Sequence, residues 1–82
     1  MTVAEKVELL QSLFKRSSNQ DVLTWGPTDR GFRWTCKTHD VAVRLAESLT
    51  QAVKNLNLDP SSFPYRFESD DGAVLLIEPI AD

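Results

Sequence analysis

The sequence predicts an α+β fold. It reads as a two-layer sandwich in the order αββαββ, with a four-stranded, mainly antiparallel sheet and both helices on one face. Three observations lead there. Two segments carry apolar residues at helical spacing, and each is followed by two short strand-like stretches around a glycine-containing turn. No linker or low-complexity tract divides the 82 residues, so residues 1–82 form a single domain.

The first helix is expected from Val3 to about Arg16. Val3, Val7, Leu10 and Phe14 recur on one face, and Leu9 and Leu13 widen the stripe. Thr2 followed by Glu5 is a capping-box start, in which two side chains satisfy orphan N–H groups. Ser17-Ser18-Asn19 is the expected stop. Two strands follow, Val22–Trp25 and Phe32–Lys37, joined through Gly26-Pro27-Thr28-Asp29-Arg30-Gly31. In the second, Phe32, Trp34 and Cys36 share one face, and Arg33, Thr35 and Lys37 the other.

The second helix is expected from about Asp40 to Asn57, its buried stripe running from Val41 to Leu56, with Thr38 or Asp40 as cap. Asn57-Leu58-Asp59-Pro60 ends it. Phe63–Phe67 then alternates, and Pro64 makes this third strand an edge or delays its start until after the proline. Asp71-Gly72 signals a tight hairpin into a buried strand, Ala73–Glu78. The predicted core is Val7, Leu10, Phe14, Leu23, Trp34, Leu45, Leu49, Val53, Phe67 and Leu76. Glycines Gly31 and Gly72 are 41 positions apart and the two helix starts are spaced alike, as in a diverged duplication of an αββ unit.

This element order is similar to that of pterin carbinolamine dehydratases and of circularly permuted ferredoxin-like domains, a likeness of topology alone. The dehydratases place a histidine-rich motif after the second helix. Asn55-Leu56-Asn57-Leu58-Asp59-Pro60 contains no histidine, so none of their catalytic residues maps onto this chain. A small enzyme of that topology is the third functional reading.

Composition narrows the classes. Apolar types make up 41% and charged types 26%, a globular profile rather than a disordered one. The longest apolar run, Ala73–Ile77, is far short of the roughly 20 residues that span a bilayer. The first residues lack the basic start and apolar stretch of a secretory signal. A single cysteine, Cys36, excludes an internal disulfide and fits a reducing compartment, so the expected location is cytoplasmic. Charge is uneven. Residues 1–58 hold eight Lys/Arg against six acids, whereas residues 59–82 hold one Arg against six acids.

Few residues suggest chemistry. Cys36 and His39, the one thiol and one imidazole, could form a nucleophilic pair; alternation with Phe32 and Trp34 instead makes Cys36 a small buried residue. Cys36, His39 and Asp40 are too few to complete a structural zinc site. Glu68, Asp70 and Asp71 lack cation-loop spacing and read as a hairpin tip. No catalytic residue, metal or cofactor is assigned. The sheet face away from the helices is the candidate surface: Arg30, Arg33, Lys37 and Arg66, with Trp25 exposed on the first hairpin. Most aromatics alternate to the other side, Trp25 and Phe63 being the exceptions to expect. Trp and Arg are favoured at interface hot spots, so the leading expectation is a non-catalytic protein that binds another protein as adaptor, inhibitor or regulator. The alternative is nucleic-acid binding by the same basic face. A homodimer through an edge strand or the outer face is a further expectation, since so small a domain gains by burying more area.

Overall fold

The computed structural model describes residues 1–16 and 20–81. Its elements are α1 (Val3–Arg16), β1 (Val22–Pro27), β2 (Phe32–Cys36), α2 (His39–Asn55), a 3-10 turn (Pro60–Ser62), β3 (Tyr65–Glu68) and β4 (Val74–Ile77). The four strands form one antiparallel sheet in the order β1-β2-β4-β3, packed on one face by both helices. The expected α+β sandwich is therefore the fold. The expected helix stop at Ser17-Ser18-Asn19 lies outside the described residues. No helix is long and apolar enough to cross a membrane among those described.

Local chemistry sets the element ends. Thr2 and Glu5 close the capping box: the Thr2 N–H donates to Glu5 Oε1 at 2.9 Å, and the Glu5 N–H to Thr2 Oγ1 at 3.1 Å. Thr38, not Asp40, caps α2 by accepting from the Val41 N–H. Helix α2 ends at Asn55, two residues early, because Asn57 takes a positive φ of 60°. Gly72, at φ 66°, completes the β3–β4 turn. Strand β1 runs on through Gly26 and Pro27, which had been expected to open the loop.

The core lies between sheet and helices. Leu10 and Phe14 of α1, Val41, Leu45, Leu49 and Val53 of α2, and Phe32, Trp34, Cys36, Leu75 and Ile77 of the central strands form it. Four expected positions differ. Leu23 is 55% exposed, because the β1–β2 register shifts between Val22 and Thr24 and Val22 takes the buried place. Leu76 is buried, at 7% exposure, but on the open face of the sheet, since it pairs with Arg33 and Arg66 while its neighbours Leu75 and Ile77 enter the core. Val7 and Phe67 are half-buried at the margin. Phe63, expected as an exposed aromatic, is buried.

Candidate functional site

Alternation along β2 turns Phe32, Trp34 and Cys36 toward the helices and leaves Arg33 and Thr35 on the opposite face. On β3, Arg66 and Glu68 share that face. Register then brings Arg33 and Arg66 to either side of Leu76, the central residue of the open face. Arg30 arrives from the β1–β2 loop. That loop is fixed at its base, where the Thr28 N–H donates to the Gly31 carbonyl at 2.8 Å and the Gly31 N–H donates to Thr28 Oγ1 at 3.0 Å. Thr28, Asp29, Arg30, Arg33, Glu68, Leu76 and Glu78 together line a shallow depression of about 330 Å³.

Charge on this face is mixed. Arg66 donates through Nε to Glu68 at 3.0 Å and through Nη1 to Glu78. These hydrogen bonds, Glu78's first, push the guanidinium pKa up. Arg66 is thus bracketed by two carboxylates, and Arg33 and Arg30 stand beside it on the same face. Sequence reading missed this bracket. Glu68 was legible as an i+2 neighbour on the same strand face, whereas Glu78 reaches Arg66 only through the β3–β4 register.

The other two expected surface residues lie elsewhere. Trp25 pairs with Trp34 on the helix side of the sheet and packs on Phe14, ring centroids 5.1 Å apart, with half its surface exposed. Its ring lies on the face opposite Arg33 and Arg66, although Trp25 and Arg33 both line a second shallow depression beside the β1–β2 loop. Lys37 follows the far end of β2 and pairs with Asp21 at 3.6 Å. It lies beyond the end of β2 away from Arg30, and the five residues of that strand span roughly 17 Å. The structure therefore places Arg30 and Arg33 in one depression, with Arg66 across Leu76 on the same face, and turns the Trp25 ring and Lys37 away from them.

Cys36 and His39 do not form a reactive pair. Cys36 is buried in the core, and burial pushes its thiol pKa up, which keeps it protonated. His39 opens α2 with Nδ1 2.8 Å from the Gly72 carbonyl oxygen and its ring edge-on to Phe67. At the hairpin tip, the Asp71 carboxylate accepts from Ser69 Oγ at 2.6 Å and from the Ala73 N–H at 3.1 Å, which pulls its pKa down. No cluster of three or more His, Cys, Asp or Glu is arranged to hold a metal among the described residues.

Against these features, no family model, no curated protein and no solved structure matches the chain.

Proposed function

We propose that this is a cytoplasmic, non-catalytic binding protein that recognises another protein through the open face of its sheet. The observation that carries this reading is the pair Arg30 and Arg33 beside the apolar Leu76, on a face where Glu68 and Glu78 also stand. Arginine is among the residue types favoured at interface hot spots. Alternating signs favour a protein of complementary pattern over a polyanion, because a nucleic-acid backbone approaching Arg66 would also meet Glu68 and Glu78. The aromatic rings that a single strand would stack on face the helices instead. The protonated thiol and engaged imidazole support a role without covalent catalysis.

Charge reversal tests the reading. Arg33→Glu is expected to leave the fold intact and to weaken a captured protein partner by ~2 kcal/mol or more, as loss of a hot spot does. Arg44→Glu, on the exposed side of α2, should change binding little. The partner should survive nuclease treatment of the host extract. Titration with single-stranded and duplex oligonucleotides at two salt concentrations supplies the opposing outcome. Steeply salt-dependent binding that falls by similar steps for each charge removed would replace protein by nucleic acid.

A further inference from the structure

We infer that β3 is the strand through which this chain pairs with a second copy of itself, antiparallel about a two-fold axis at Phe67. The sheet has two edges, β1 and β3, and hydrogen-bond parity decides which of them is open. In an antiparallel ladder alternate residues turn both backbone groups toward the neighbouring strand, and those between turn both outward. The Glu78 N–H donates to the Pro64 carbonyl at 3.2 Å, so Pro64, Arg66 and Glu68 face β4, and Tyr65 and Phe67 face outward. Pro64 therefore lacks its N–H on the inner side, where the free edge loses nothing.

The opposite edge has the reverse arrangement. The Cys36 N–H donates to the Ala73 carbonyl, which places Trp34 and Phe32 toward β4 and Arg33 and Thr35 toward β1. Gly26 and Thr24 answer Arg33 and Thr35, and Trp25 and Pro27 face outward. Proline then sits where the edge needs a donor, and the register shift at Leu23 interrupts the rest. Strand β1 is a closed edge and β3 an open one.

A second copy is the occupant because β3 is self-complementary in one register. Outward residues must oppose outward residues, which permits two-fold centres at Tyr65, Arg66 or Phe67. A centre at Tyr65 sets Phe67 against Phe63, which precedes the strand and is buried. A centre at Arg66 sets like charges directly opposite. A centre at Phe67 sets Phe67 against Phe67 on the helix side and Arg66 against the other copy's Glu68, twice, on the open face. Arg66 and Glu68 are already hydrogen-bonded within each copy, so the four groups would form a row of alternating charge across the seam. Phe67 N–H and C=O exchange bonds with their equivalents, and each Ser69 N–H donates to the opposite Tyr65 carbonyl. Ser69 turns away at φ 71°, so the pairing is short and the dimer weak, with an interface at the small end of the specific range. The product is one continuous sheet with all four helices on one side.

Sedimentation of the whole chain tests this. The wild-type protein is expected to pass from 9.2 kDa to twice that mass as its concentration rises toward millimolar. Glu68→Arg and Arg66→Glu place like charges opposite each other, and each alone should dissociate roughly tenfold more readily. An equimolar mixture of the two should recover association, since each then meets its opposite. Amide hydrogen exchange of the wild type gives a readout free of mutation: Phe67 and Ser69 should slow with concentration and Trp25 should not. A monomer at millimolar concentration, variants that associate as well as wild type, a mixture that fails to associate, or protection at Trp25 in place of Phe67 would each overturn the proposal. None of these outcomes bears on Arg30 and Arg33, so the open-face reading stands or falls separately.

Discussion

Gly31 shows how tightly single positions are specified. A Cβ built there would overlap the carbonyl oxygen of Ile77 and crowd Glu78 Cα, backbone atoms at and just after the end of β4 that cannot swing aside. Gly26, five residues earlier on the edge, has nothing within 4 Å of the same atom. Gly31→Ala is therefore expected to cost about 2 kcal/mol or more, by prying β2 from β4, while Gly26→Ala stays within about 0.5 kcal/mol. Urea denaturation of the two variants checks the contrast. Lys6 is the residue that sequence reading missed most clearly. It is 1% exposed, with Nζ donating to the Ile80 carbonyl at 2.5 Å and lying 5.6 Å from the Phe63 ring centroid. Its position was legible, since it stands four residues before Leu10 on the buried stripe. Its charge argued for the surface, and only the distant carbonyl and ring explain why it is inside.

At the scale of elements, capping carboxylates make the turns sensitive to acid. Asp59 accepts from the Ser61 N–H at 3.0 Å and Asp71 from Ser69 and Ala73; these hydrogen bonds push both pKa values down. A carboxyl whose pKa is lower folded than unfolded contributes stability above its unfolded pKa and loses it as pH falls through the folded one. Stability should thus decline below about pH 4, and Asp71→Asn should flatten that decline while lowering stability at neutral pH. Urea midpoints measured from pH 7 to acid follow both effects. The elements themselves were largely readable: periodicity located both helices, and alternation oriented β2 correctly. Facing failed at two places for separate reasons. A one-residue shift in β1 is invisible in composition, yet it moves Leu23 from core to solvent. The run Ala73-Val74-Leu75-Leu76-Ile77 has no polar residue to mark its outer side, so Leu76 could be assigned to the open face only from its partners Arg33 and Arg66. The candidate surface shared that limit. Alternation placed Arg33 and Arg66 on the open face, whereas the position of Arg30 in its loop and the turn of Trp25 toward the helices depend on pairing that periodicity does not carry.

Across the whole molecule, the segment after β4 ties the two ends of the fold together. Besides the Lys6 contact, the Ile80 N–H donates to the Ser62 carbonyl at 3.0 Å, so this segment bridges α1 and the 3-10 turn. Lys6→Met keeps the apolar stem and removes the ammonium. It is expected to cost about 0.5–1.5 kcal/mol, the net worth of one hydrogen bond to a partly buried carbonyl. Denaturant titration measures the loss, and faster exchange at the Ile80 amide would localise it.

The sheet order also has a consequence for how the chain is made. Strand β4 is the last of the four to be synthesised, yet it lies between β2 and β3. Until it leaves the ribosome the β1–β2 hairpin has no inner neighbour and β3 has no partner at all. Phe32 and Trp34 then lack Leu75 and Ile77 to pack beside, and the inner edge of β2 is bare. At 5–20 residues per second, about 2–8 s pass between the emergence of β2 and that of β4. For that interval the chain cannot close its core, and short helices and a lone hairpin are marginal on their own, so its apolar residues are exposed to chaperones. Closing the core requires β4 to enter between strands that are already made.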